Sequence, residues 1–329
     1  MGGPVALTPG KIRGLAATST PEGIFTILAI DHREAMRAVL DPDHPMAVPA
    51  AELTRQKLWL LAELGGEVSA VMLDPEYSAA QAITSRLLPG TVGFLSAVEA
   101  QGYVPDPAAP QATLLEGWSV EKAKRLGASG IKLLVWYRPG AGEVAENQER
   151  LIAAVIADCA RHDIPLFLEP LAYPNEAGLS PDSDEVVAER RAVVIESVRR
   201  LGALAPEVLK VPFPVDTRLQ PDRAIWADAC AELDDASPVP WALLSGGDPY
   251  ELFRDQVRIA CQHGASGFMA GRALWAEAVI AGEGERDRIV EETVRPRLRE
   301  LSGIAREHGR DWAERYAFPA VDETWYRGY

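Results

Sequence analysis

Two lysines stand where lysine is costly. Lys132 lies in GIKLLVWY and Lys210 in VLKVPFP, two runs that are otherwise apolar. Lysine is rarely buried unless it is paired or put to use. A third run, PLFLEPL, carries Glu169, and a fourth, IFTILAID, ends in Asp31. If these runs are neighbouring strands, two amines and two carboxylates share one interior cluster. A lysine beside a second cation, and partly out of water, gives up its proton more readily, and the free amine can attack a carbonyl to form a Schiff base. The protonated iminium then draws electrons from a nearby carbon–carbon bond. An adjacent carboxyl passes protons during carbinolamine collapse and departure of the alkoxide. The competing reading is a structural ion network in which Lys132 and Lys210 only neutralise Glu169 and Asp31. Two inward lysines rather than one favour chemistry.

A second constellation points to an anion. PWALLSGG ends in Ser245, Gly246 and Gly247, and ASGFMAGR ends in Gly271 and Arg272. Backbone amides at such turns, with the start of the next helix, cradle phosphate, and an arginine adds a charge-assisted contact. A glycine pair alone fits any tight turn; its combination with Gly271-Arg272 one strand later is more specific. A metal centre has less support. His32, His44, His162, His263 and His308 are scattered, without H-x-H or H-E-x-x-H spacing. Asp31, Asp74 and Glu76 could together hold Mg²⁺, which keeps a metal-dependent lyase as a second reading. A non-catalytic sugar-phosphate binding barrel is a third. No cofactor is expected.

These residues need elements to hold them. Eight apolar runs recur: Ile24–Asp31, Val68–Asp74, Thr91–Ser96, Gly130–Tyr137, Pro165–Leu171, Val208–Pro214, Pro240–Gly247 and Ala265–Arg272. They are near-continuously apolar, as strands buried on both faces are. Amphipathic stretches separate them, among them 146–161, 184–204, 222–233 and 250–263. Gly127 and Gly264 mark helix stops. Alternating strand and helix, eight times in about 250 residues, predicts one closed (β/α)₈ barrel over about 24–280, with a helical and aromatic extension over 281–329. No G-x-G-x-x-G follows the first run, which weakens an open dinucleotide-binding sheet. In this fold active sites lie at the carboxyl ends of the strands, and phosphate sites recur after strands 7 and 8. Two Pro-rich loops, 41–49 and 105–110, are expected as rigid excursions. The tail carries Trp312, Tyr316, Phe318, Trp325, Tyr326 and Tyr329. It is expected to pack on the barrel or on another subunit, with an active-site cover as the sharper alternative.

Bulk properties narrow the classes. The net charge of −15 disfavours broad binding to nucleic acid or anionic membrane, because both need a basic face. No uncharged run is long enough to span a membrane, and the N-terminus has no apolar signal core. Cys159, Cys230 and Cys261 form no C-x-x-C and read as buried small hydrophobes, which fits a reducing cytoplasm.

Several stretches, in order, carry a family resemblance: AIDHREAM at Asp31, MLDPEYS at Asp74, EGWSVEKAKRLGASGIKLLVWY around Lys132, LFLEPLAY at Glu169, VLKVPFPV at Lys210, and LLSGG followed by GASGFMAGRALWA. Over about Ile24 to Val279 the chain resembles the tagatose 1,6-bisphosphate aldolase family of lysine-dependent aldolases, which includes the sulfofructose-phosphate aldolases. The resemblance implies Lys210 as the Schiff-base lysine, Glu169 as the acid/base and Lys132 as the second lysine. It implies Asp31 as a contact to substrate hydroxyls or the lysines, and Ser245, Gly246, Gly271 and Arg272 as the phosphate site, to which the turn itself adds Gly247. The family usually has glutamine where this chain has His32, a position near the substrate carbons. Arg33 and Lys57 are candidates for a second anion pocket, with solvated surface charge the alternative for Lys57. The implied reaction cleaves a ketohexose 1-phosphate with an anionic C6 group, such as tagatose 1,6-bisphosphate, into dihydroxyacetone phosphate and a three-carbon aldehyde. Sulfofructose 1-phosphate, giving sulfolactaldehyde, is the alternative. A homo-oligomer is expected.

Overall fold

Each of the eight apolar runs forms a strand. In the computed structural model every strand pairs in parallel with the next, and the last returns to the first. The strands are β1 (Phe25–Ala29), β2 (Ala70–Leu73), β3 (Gly93–Ala97), β4 (Gly130–Trp136), β5 (Leu166–Leu171), β6 (Val208–Val211), β7 (Trp241–Leu244) and β8 (Gly267–Ala270). The result is a closed TIM barrel. The structure describes residues 6–101, 110–173 and 184–329, and the side chains of 184–188 are not described. The Pro-rich stretch expected over 105–110 falls almost wholly outside these residues. The other, 41–49, forms a short 3₁₀ turn at Pro45–Ala47.

The helices are α1 (Pro9–Thr18), α2 (Glu34–Leu40), α3 (Ala50–Leu64), α4 (Ala79–Thr84), α5 (Val120–Leu126), α6 (Glu143–Arg161), α7 (Asp184–Gly202), α8 (Arg223–Ala236), α9 (Tyr250–Gln262), α10 (Arg272–Ile280), α11 (Glu283–Ile289) and α12 (Arg295–His308). Their ends follow local chemistry. Ser119 Oγ accepts from Lys122 N at 3.2 Å to start α5, and Gly127 at φ +101° ends it. Asp222 caps α8 through Ala224 N at 2.9 Å. Each long helix turns one apolar stripe to the sheet: Ile152, Val155 and Cys159 on α6, Phe253, Val257 and Ala260 on α9. The three cysteines are buried and free, as expected of small apolar fillers.

Two apolar layers result. One fills the space between strands and helices. The other fills the lumen, because side chains alternate along a strand and every second residue points inward. Phe25, Ile27 and Ala29 of β1 meet Met72, Phe167, Val208 and Met269 there. The amino end of this lumen is closed by Leu15 of α1 and by Trp312 and Tyr316 of the tail, all buried. Tyr316 donates to Glu207 O at 2.6 Å and Trp312 to Ser19 Oγ at 3.0 Å. The aromatic tail therefore seals the floor, opposite the carboxyl ends of the strands, and is not the active-site cover considered above. Beyond it Phe318, Trp325, Tyr326 and Tyr329 are exposed. Among the described residues no helix is long and apolar enough to cross a membrane.

Candidate active site

The inward alternation continues above the apolar layer, where the side chains become charged. Asp31 follows Ala29, Glu99 follows Ala97, Lys132 lies on β4, Glu169 on β5 and Lys210 on β6. All five line one cavity of about 470 Å³ at the carboxyl end of the barrel. Each is at least 94% buried. Lys210 Nζ lies 2.9 Å from Glu169 Oε2 and touches the Met72 sulfur at 3.7 Å. Lys132 Nζ lies 2.5 Å from Glu99 Oε1, 2.9 Å from Asp31 Oδ2 and 3.2 Å from Glu169 Oε2.

The electrostatics follow from that packing. Burial opposes charge on Lys132, but Asp31, Glu99 and Glu169 outweigh it and hold the ammonium form far above the usual lysine range. Burial likewise opposes ionisation of Asp31, yet Lys132, Lys210 and His32 hold its carboxyl well below the usual range. Glu169 is lowered as well: Lys210 and then Lys132 overcome its burial. The resting cluster is thus a set of ion pairs in which one amine, Lys132, is a fixed cation beside the other.

His32 enters the cavity next to Asp31. Its Nδ1 is 3.9 Å from Asp31 Oδ1, and its ring meets the edge of Trp275 at 5.4 Å between centroids. Trp275 is itself held by donating to Ala29 O at 2.9 Å. Burial pushes the imidazole down to about 4, with Lys210 and Arg272 assisting against Asp31, so the ring is neutral at pH 7. Gly271 leaves it room: a Cβ there would stand 2.5 Å from His32 Cε1.

Beyond β7 and β8 lies the cradle. Gly246 and Gly247 have φ of +59° and +95°, the left-handed region that glycine adopts without strain. Ser245 Oγ accepts from Gly271 N at 3.3 Å, and Arg272 Nη2 donates to Gly246 O at 3.0 Å. Arg272 opens α10, so its guanidinium and the helix N-terminus converge at one end of the cavity. At the other end stand two arginines that the strand-by-strand reading missed. Arg138, after β4, donates to Tyr173 O at 3.2 Å and pairs with Glu189. Arg190, on α7, donates to Phe213 O at 3.1 Å. Both line the cavity, with Trp136 and Tyr173. β4 and β8 are four strands apart in a ring of eight, hence on opposite sides. The two cationic ends flank the lysine pair.

Three sequence expectations are corrected. Arg33 does not line the cavity: it is 2% exposed, bonded to Glu76 Oε2 at 2.9 Å and Glu99 O at 2.9 Å. Lys57 is neither solvated nor an anion-pocket residue; it is fully buried and paired with Asp74. Asp31, Asp74 and Glu76 do not meet at one point. They are bound by Lys132, Lys57 and Arg33 respectively, and among the described residues no three His, Cys, Asp or Glu are arranged as a metal centre. Glu99 was missed because the third apolar run was ended at Ser96. Extending its alternation from Leu95 through Ala97 reaches Glu99.

Comparison with known proteins agrees with this architecture. The sequence profile described as DeoC/LacD family aldolase matches residues 25–277. The tagatose 1,6-diphosphate aldolase of Streptococcus agalactiae serotype V is 28% identical over 329 residues, covering 94% of this chain and 100% of that protein. Tagatose 1,6-diphosphate aldolase 1 of Streptococcus mutans is 30% identical over 294 residues, covering 84% and 88%. Among solved structures, an archaeal fructose 1,6-bisphosphate aldolase superposes with a TM-score of 0.59 at 18% identity, covering 89% of this chain and 98% of that one, a likeness that speaks to the fold.

Proposed function

The chain belongs to the DeoC/LacD family of aldolases, aldehyde-lyases that cleave carbon–carbon bonds, and we propose that it works through a Schiff base on Lys210, cleaving a ketohexose 1-phosphate that carries a second anion at C6. The observation that carries this reading is the 2.9 Å contact between Lys210 Nζ and Glu169 Oε2, inside a cavity whose two ends are cationic.

The geometry supports one sequence of steps. Moving one proton across the 2.9 Å contact converts the resting ion pair into Lys210 amine and Glu169 acid. The amine attacks the C2 ketone, and a proton passes from nitrogen to the new oxygen. Glu169 returns its proton to that hydroxyl, which leaves as water, and the iminium forms. Glu169, again a carboxylate, takes the C4 hydroxyl proton as the C3–C4 bond breaks. The bond's electrons flow into the iminium to give an enamine, and the three-carbon aldehyde departs. Protonation at C3 and hydrolysis by water restore Lys210 and release dihydroxyacetone phosphate. Lys132 stays protonated throughout and, with Asp31 and His32, orients the substrate oxygens. Ser245, Gly246, Gly247, Gly271 and Arg272 receive the C1 phosphate. Arg138 and Arg190 receive the C6 anion, in place of Arg33 and Lys57.

The relatives' names make tagatose 1,6-bisphosphate the first substrate to test. A guanidinium pair accepts sulfonate as well as phosphate, so sulfofructose 1-phosphate, yielding sulfolactaldehyde, belongs in the same panel with fructose 1,6-bisphosphate; kcat/KM ranks them. The mechanism is tested by sodium borohydride with dihydroxyacetone phosphate. A stable adduct on the peptide containing Lys210 is expected, and an active enzyme without that adduct would overturn the Schiff-base reading.

A further inference from the structure

Glu99 is as deeply buried as any residue of the site, yet none of the steps above uses it. It is 1% exposed and stands on the loop after β3. One oxygen lies 2.5 Å from Lys132 Nζ, the shortest of that lysine's three carboxylate contacts. The other accepts from Leu134 N at 3.2 Å, which ties the side chain to the backbone of β4. Arg33, at the start of α2, holds it from behind: Nη2 donates to Glu99 O at 2.9 Å and lies 3.6 Å from Oε1, while Nη1 bonds Glu76 at 2.9 Å. A carboxylate gripped on three sides by Lys132, a strand amide and an arginine has little freedom of its own.

We propose that Glu99, clamped by Arg33, is a positioning residue: it fixes the Lys132 ammonium beside the Lys210–Glu169 pair. Lys132 carries the claim because it lies 3.2 Å from the same Glu169 oxygen that Lys210 contacts at 2.9 Å. The groups facing Lys132 are Asp31 from beyond β1, Glu99 from the loop after β3 and Glu169 from β5. Lys210, on β6, contacts Glu169 and the Met72 sulfur and also acts electrostatically on Asp31 and His32. Including Arg33 and its partner Glu76, four carboxylates face three cations. Removing one negative charge makes proton loss from the lysine pair easier; removing one positive charge makes it harder. The two members of the clamp should therefore shift the pH dependence in opposite directions. A purely structural role predicts no such sign.

This inference rests on the Schiff-base reading, and the experiment separates the two. Wild type, Glu99→Gln and Arg33→Gln are compared by borohydride trapping with dihydroxyacetone phosphate across pH, and by kcat and KM with tagatose 1,6-bisphosphate. Glu99→Gln should lower kcat about ten- to a hundredfold with KM within about twofold, because a lysine displaced by a fraction of an ångström loses alignment. The acid limb of trapping should move about one unit to lower pH in Glu99→Gln and toward higher pH in Arg33→Gln. Glu99→Asp, which keeps the charge but is one methylene shorter, should restore the wild-type limb while kcat stays low. If Glu99→Gln does not fold, the upward shift in Arg33→Gln still decides. Limbs that superimpose on wild type, with trapping intact, would overturn the role of Glu99 and leave the Schiff base standing; no wild-type adduct on Lys210 would remove both.

Discussion

Lys132 and Lys210 share a single carboxylate oxygen: Glu169 Oε2 lies 3.2 Å from the first Nζ and 2.9 Å from the second. The two amines are not equivalent. Lys132 has two further carboxylates, Asp31 at 2.9 Å and Glu99 at 2.5 Å, whereas Lys210 touches the thioether of Met72 at 3.7 Å. With three anionic partners Lys132 is held as the ammonium. That asymmetry is why the proposed mechanism takes Lys210 as nucleophile and Lys132 as fixed cation.

Lys210→Met should abolish borohydride trapping and reduce kcat by roughly 10⁴-fold or more, since the nucleophile has no substitute in the cavity. Lys132→Met should leave trapping measurable but slow. Peptide mass spectrometry separates the two outcomes; an adduct persisting in Lys210→Met would reassign the nucleophile.

Glu169→Gln keeps the shape of the site and removes the proton shuttle. The expected loss is about 10²- to 10⁴-fold in kcat, the usual worth of a positioned acid/base, with little change in KM. Presteady-state mixing should show slowed iminium formation as well as slowed cleavage, because both steps use the same carboxyl.

The two cationic ends can be told apart by substrate length. Arg272→Ala should raise the concentration of dihydroxyacetone phosphate needed for half-maximal trapping by about ten- to a hundredfold, the worth of a charge-assisted contact. Arg138→Ala should leave that value unchanged and raise KM for the six-carbon bisphosphate by a similar factor. Equal effects of Arg138→Ala on both ligands would remove it from the C6 end.

His32 gives a pH signature. Its imidazole is depressed from 6.5 to about 4 by burial, so the folded protein resists the proton that the unfolded chain takes up. The stability this contributes is complete above about 6.5 and is lost as pH falls toward about 4. In thermal melts between pH 7 and pH 4, wild type should lose midpoint faster than His32→Gln. Parallel curves would show that the ring does not resist protonation.

Lys57 tests the buried outer pair. Both Lys57 and Asp74 are fully inaccessible. Asp74 also accepts from Ser78 Oγ at 2.8 Å and Tyr77 N at 2.7 Å. Lys57→Met strands that carboxylate without its cation and should cost about 3–5 kcal/mol in chemical denaturation. A surface lysine would cost almost nothing, so the magnitude decides between the solvated alternative and the folded arrangement.

Much of the site was visible before folding, for a local reason. Lys132, Glu169 and Lys210 each interrupt an apolar run, and burying a charge without use or partner is unfavourable enough that such interruptions stand out. Glu99 follows the same rule but sits two residues past Ala97, where the apolar run had already ended. Arg138 and Arg190 had no such signal. They lie on a loop and a helix, where arginine is common, and only the packing of α7 on β6, with Glu189 of α7 reaching Arg138, brings them to one cavity. Arg33 and Lys57 misled for the mirror reason: helical cations usually face water, and these two face inward to acids contributed by other elements.

By itself, then, the sequence determined the barrel, its strand order and the inward direction of the catalytic candidates, because strand periodicity and apolar continuity are written in neighbouring residues. The tertiary structure alone decided which charges pair: that Glu169 serves two lysines, that Glu99 and Arg33 brace one of them, and that Asp74 belongs to Lys57. Those choices depend on strand register and helix docking. Side chains many residues apart meet within about 3 Å, and at that range in a buried site Coulomb energies dominate.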